Sequence, residues 1–115
     1  LPIPGGSDCP IEDGNPMFEY YAAITRKDHD GLPKDGWYPS ETLDRISALK
    51  MFTKWAAYGE FSESRRGMID VGFDADLTVV SNDITSCEPK QILGTEAVMT
   101  IVNGKIAFSK IPMNG

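Results

Sequence analysis

Few side chains in this sequence can do chemistry, and the scarcest type decides the most. There is one histidine, His29, and there are two cysteines, Cys9 and Cys87. Neither a histidine-rich metal centre nor a histidine pair for proton relay can be assembled from them. Two distant cysteines make neither a zinc knuckle nor a disulfide framework, and two reduced thiols are expected. Acid–base chemistry therefore falls to the carboxylates. The best placed is Asp8, in the run Gly5-Gly6-Ser7-Asp8-Cys9-Pro10 behind apolar Leu1-Pro2-Ile3-Pro4. A short buried strand that ends on glycines delivers its next side chain to the rim of a sheet or barrel, the glycines turning the backbone with positive φ. A carboxylate held there is a candidate metal ligand or general base. The alternative is that Asp8 closes a turn or caps a helix. Gly-Ser-Asp is a weak motif, and on local residues alone the turn leads.

Two other groups compete. His29 lies between Asp28 and Asp30, a set that could bind a metal weakly, although a solvated polar loop is the simpler reading. Trp37 and Tyr38 follow in the same loop. They either line a substrate entrance or pack down as the anchor of the loop, and the anchor is preferred.

These side chains need elements to hold them. Asn15-Pro16 starts a helix, since Asn accepts from free N–H groups and Pro fits the first helical position. The helix is predicted over Pro16–Arg26, with Met17, Tyr20, Tyr21 and Ile24 on one face. Residues 27–40 are broken by Gly31, Pro33, Gly36 and Pro39 into a long loop. Asp44 caps a second helix over Arg45–Thr53, and a third runs from Lys54 to about Phe61. After Gly67 the pattern changes. Ala75–Val80 reads as a strand, residues 89–93 as a helical turn, and Ala97–Val102 with Lys105–Phe108 as a hairpin about Asn103-Gly104, where both turn positions require positive φ. Three strands need a covering layer, which only the helices before residue 62 can supply.

Composition sets the outer limits. The chain has 115 residues, 41% hydrophobic and 24% charged, enough for a domain with a modest core. Its net charge of −6 and its lack of clustered Lys and Arg exclude a nucleic-acid footprint. No apolar run is long enough to cross a bilayer, and no basic segment precedes the apolar start as in a signal peptide. A cytoplasmic protein with no membrane partner is expected.

At this point four stretches fall into a known order: Gly6-Ser7-Asp8-Cys9-Pro10 with Asn15-Pro16; Ala22-Ala23-Ile24-Thr25-Arg26; Ala48 to Thr53 with Ala56-Ala57; and Gly67 to Gly72 with Ala75-Asp76-Leu77. The hairpin Val98 to Lys105 closes the series. Together they resemble the C-terminal end of the metal-dependent amidohydrolases of the family 3 type. The resemblance implies an α/β fold in two parts. Residues 1–62 would be the end of a (β/α)8 barrel, with its last strand and helices, and residues 63–115 would be strands of a small composite β-sandwich. It implies hydrolysis of non-peptide carbon–nitrogen bonds in small amide or cyclic amide substrates. Asp8 would be both a ligand of a divalent metal, zinc foremost, and the acceptor of the proton from the attacking water. The family's histidine ligands have no counterpart here, and His29 stands in the wrong context. The chain is thus expected to be a fragment of a longer enzyme, inactive and without catalytic metal by itself. Its uncovered apolar faces are expected to drive it into a homo-oligomer. The competing reading is a stand-alone small α/β binding or assembly module with no catalysis.

Overall fold

A computed structural model describes residues 1–114. It is a mixed α/β fold with four short α-helices and one three-stranded sheet. Helix α1 spans Pro16–Thr25 and is capped as its sequence demands: the Asn15 side chain accepts from the Met17 N–H at 3.0 Å, and Pro16 needs no donor. It stops one residue short of the expected Arg26, which takes the left-handed C-cap conformation at φ 55°. A 3-10 turn follows over Pro39–Glu41. Helix α2, Arg45–Met51, has Asp44 as N-cap, its carboxylate accepting from both the Ser47 N–H and the Ser47 hydroxyl. Those bonds hold the Asp44 carboxyl below its usual range. Helix α3, Lys54–Gly59, ends before the expected Phe61, which sits at φ 62°.

The sheet is wholly antiparallel, in the order β1-β2-β3, with β1 Leu77–Val80, β2 Ala97–Val102 and β3 Lys105–Ser109. Asn103 and Gly104 turn the hairpin at φ 50° and 74°. Strand β1 starts at Leu77 and not at Ala75 because the two preceding residues serve that turn. The Ala75 carbonyl accepts from the Gly104 N–H, and the Asp76 carboxylate from the Asn103 N–H. Helix α4, Pro89–Ile92, carries a reciprocal capping box between Glu88 and Gln91.

Two expectations are corrected. Leu1–Pro4 forms no strand. Pro2 and Pro4 have no N–H to donate, no strand lies beside them, and the first backbone hydrogen bond to the rest of the described chain comes only after the segment, from Gly5 N–H to Met51 O at 3.0 Å. Nor do the helices cover the sheet. The core unites Tyr20, Tyr21 and Ala48 of α1 and α2 with Ile84 and Ile92 of the segment between β1 and β2. Of the strand residues, Val80 packs against it, while Val79, Val102, Ile106 and Phe108 stay exposed. The apolar face of α1 is closed mainly by residues 84–93, and of the strands only Val80 reaches the core.

The core is tied by a polar clasp. The fully buried Tyr20 directs its hydroxyl at the carbonyls of Ile84 and Arg45 at 3.1 and 3.2 Å. The Arg45 guanidinium donates to Ile84 O and Cys87 O, each at 2.6 Å. Burial raises the Tyr20 hydroxyl above its ordinary value, outweighing the opposite pull of Arg45. Among the described residues, no helix is long and apolar enough to cross a membrane.

Candidate active site

Asp8 opens a tight turn. Its carbonyl accepts from the Ile11 N–H at 2.9 Å, and its side chain is exposed. The left-handed residue at this corner is Asp8 itself, at φ 53°. The expectation that Gly5 and Gly6 supply positive φ is therefore corrected. Asp tolerates this conformation better than most residues because its short polar side chain can bond locally. From the turn the chain runs straight into α1, by way of Asp13, whose carboxylate accepts from the Asn15 N–H at 3.0 Å. Asp8 thus stands outside the N-terminal end of α1, open to solvent.

Glycine at position 5 has a spatial role. A Cβ there would lie 3.0 Å from Met51 Cε and 3.1 Å from two carbons of the Phe52 ring. The matching glycine is Gly59, where a Cβ would lie 2.7 Å from Pro4 Cγ. Neither contact could be read from the sequence, since both join residues more than forty positions apart.

The other candidates lie elsewhere. Asp28 turns its carboxylate to the N–H groups of Asp30 and Leu32, both at 2.9 Å, so it shapes its own loop. His29 is exposed with its ring 4.2 Å from that of Phe18. Trp37 and Tyr38 are 64% and 62% exposed, which corrects the expectation that they pack down. At Gly36 the loop backbone itself packs close to the helix end: a Cβ there would sit 2.5 Å from Thr25 O. The Arg26 guanidinium lies 5.3 Å from the centre of the Trp37 ring, and its Nε donates to Trp37 O at 2.8 Å. This pair sits at the C-terminal end of the ten-residue α1, roughly 15 Å along the helix from its other end near Asp8.

A groove between the first residues and the helices does not reach the carboxylate. It measures about 390 Å³, is lined by Leu1, Ile3, Ala23, Leu43, Met51 and Trp55 among others, and does not include Asp8. It is a mainly apolar surface, with Arg26 and Glu41 as its charged lining residues. Among the described residues no three His, Cys, Asp or Glu side chains converge to hold a metal ion. A lone carboxylate does not fit a divalent cation, which takes four or more donors. Asp8 can offer one ligand and one proton acceptor.

Comparison with known proteins follows the same line. Residues 1–108 match the model of the amidohydrolase family. The chain is 36% identical over 106 residues to YtcJ of Bacillus subtilis (strain 168), a protein provisionally named an amidohydrolase; the match covers 92% of this chain and 20% of that one. It is 26% identical over 104 residues to the N-substituted formamide deformylase of Arthrobacter pascens, covering 90% of this chain and 19% of the relative. The chain thus spans about a fifth of the length of these relatives. No solved structure matches it significantly. With a family match running from Leu1 to Phe108, the chain belongs to the amidohydrolase family.

Proposed function

We propose that this chain is the C-terminal part of a hydrolase that acts on carbon–nitrogen bonds other than peptide bonds, in small amide or cyclic amide substrates. The observation that carries the reading is the family match across residues 1–108, with Asp8 inside it on an open corner. A relative named for deformylation of N-substituted formamides supports the bond type. In this reading Leu1–Pro4, which forms no strand among the described residues, takes its place as the last strand of a (β/α)8 barrel when the rest of the longer enzyme flanks it, α1 is the helix behind it, and the barrel part ends near residue 62. The remaining strands, to residue 115, belong to a composite β-sandwich. A strand-end carboxylate at the C-terminal rim is where such barrels place their chemistry.

Asp8 accepts the proton of the water that attacks the amide carbonyl carbon. The C–N bond of the tetrahedral adduct then breaks as Asp8 returns that proton to the departing nitrogen, leaving a carboxylic acid and an amine. A divalent metal, zinc foremost, would take Asp8 as one ligand and acidify the water. The other ligands must come from outside these residues, so the 115-residue chain is inactive alone.

The test is hydrolysis of a panel of N-substituted formamides and cyclic amides by the full-length enzyme. Asp8→Asn should lower kcat by about a thousandfold, with zinc content followed by elemental analysis. Full activity in Asp8→Asn would remove Asp8 from the reaction.

A further inference from the structure

We propose that Gly5 and Gly59 form a seat that sets the position of the Asp8 corner, making both of them positioning residues for the reaction. The inference rests on the reading of Asp8 given above. Asp8 is exposed, so its place is inherited from the chain on either side. Downstream it is held by α1, whose cap is sound. Upstream, among the described residues, the bond from Gly5 N–H to Met51 O is the one backbone hydrogen bond made by residues 1–7. That bond forms only because the chain comes unusually close to α2 and α3.

The closeness has two parts. At Gly5 the backbone lies against Met51 Cε and the Phe52 ring, near 3 Å from any added Cβ. At Gly59, the last residue of α3, the Pro4 ring occupies the place of a side chain. Neither glycine has positive φ, so backbone freedom does not account for either. What they provide is space. Gly6 is the internal contrast, since a Cβ there would meet nothing within 4 Å. An added methyl at Gly59 meets a ring that cannot swing aside, and the segment must lift. An added methyl at Gly5 meets the end of a flexible Met51 and one edge of Phe52, so it should do less. A proton-transferring carboxylate moved by about 1 Å loses up to a hundredfold in rate.

The experiment compares Gly59→Ala, Gly5→Ala and the double variant Gly59→Ala with Pro4→Ala in the full-length enzyme, with Asp8→Asn as reference. kcat and KM are measured separately, and hydrogen exchange at the Gly5 amide is followed. Gly59→Ala should lower kcat about tenfold or more with KM within about twofold. It should also speed exchange at Gly5, and Pro4→Ala in the same chain should restore both. A wild-type kcat in Gly59→Ala, or a loss that Pro4→Ala does not relieve, overturns the seat. If Asp8→Asn is itself fully active, the reading of Asp8 falls, and the seat is judged on exchange alone. Unchanged exchange at Gly5 in Gly59→Ala then overturns it, and faster exchange reversed by Pro4→Ala upholds it.

Discussion

The Tyr20 hydroxyl and the Arg45 guanidinium meet on one oxygen, the carbonyl of Ile84, at 3.1 and 2.6 Å. The second arm of Arg45 takes Cys87 O. Both carbonyls lie between β1 and α4, where no ladder can satisfy them. Arg45→Met would leave Cys87 O without this donor and should cost about 1.5–3 kcal/mol, as for a bond to a charged group. Tyr20→Phe should cost less, about 0.5–1.5 kcal/mol, because Ile84 O keeps Arg45. Urea titrations of the two single variants and the double should reveal coupling of about 0.5 kcal/mol or more. Strict additivity would mean that the two side chains act separately.

The same tyrosine makes stability fall in alkali. Burial raises its hydroxyl above the ordinary value of about 10. The folded chain thus keeps a proton that the unfolded chain gives up. Tyr20 contributes this stability fully below about pH 10, and it is lost as pH rises from there through the raised folded value. Denaturation midpoints at pH 8, 10 and 11 should fall more steeply in the wild type than in Tyr20→Phe. Parallel slopes would assign the alkaline loss to other groups.

Two glycines separate conformation from packing. Gly67 and Gly72 share a φ of 88°, but a Cβ at Gly67 would lie 2.9 Å from Ala57 Cβ, Lys54 Cα and Thr53 O, while at Gly72 it would meet nothing within 4 Å. Gly72→Ala should cost about 1–2 kcal/mol, the left-handed penalty alone. Gly67→Ala should cost about 1–3 kcal/mol beyond that for overpacking. Melting of the two variants side by side gives the difference, and equal losses would remove the packing part.

Uncovered surface should make the chain associate. Phe61, Ile69 and Val71 are 91%, 89% and 97% exposed, and one face of the sheet is open. Sedimentation of the 115-residue chain at micromolar concentration should give a dimer or larger species. A monomer alone would show that these side chains do not pair.

What the sequence disclosed was local. Asn15-Pro16, Asp44 with Ser47, and Asn103-Gly104 act through bonds and dihedrals within a few residues, and each sits where the residue types place it. Contacts across long separations were hidden. Ile84 and Ile92 do not form a periodic stripe, so nothing marked them as the cover of α1. The carbonyl-seeking role of Arg45 depends on a loop 39 positions away. At the candidate site, Asp8 was legible as a carboxylate on a corner, yet its glycines were misread. Glycine permits both positive φ and close approach, and only the neighbouring Met51, Phe52 and Pro4 show which is used.

The core has a consequence for synthesis. Tyr20 and Ile84 are 64 residues apart in the chain, and Ile84 and Ile92 complete the core that α1 and α2 begin. At about 5–20 residues per second, a ribosome exposes α1 for roughly three to thirteen seconds before Ile84 emerges. Through that interval the aromatic face of α1 lacks Ile84 and Ile92 and is open to proteases and to chaperones that bind apolar helices. Native closure of this core therefore waits on the last third of the chain, and a message cut short before residue 84 yields helices that cannot finish folding.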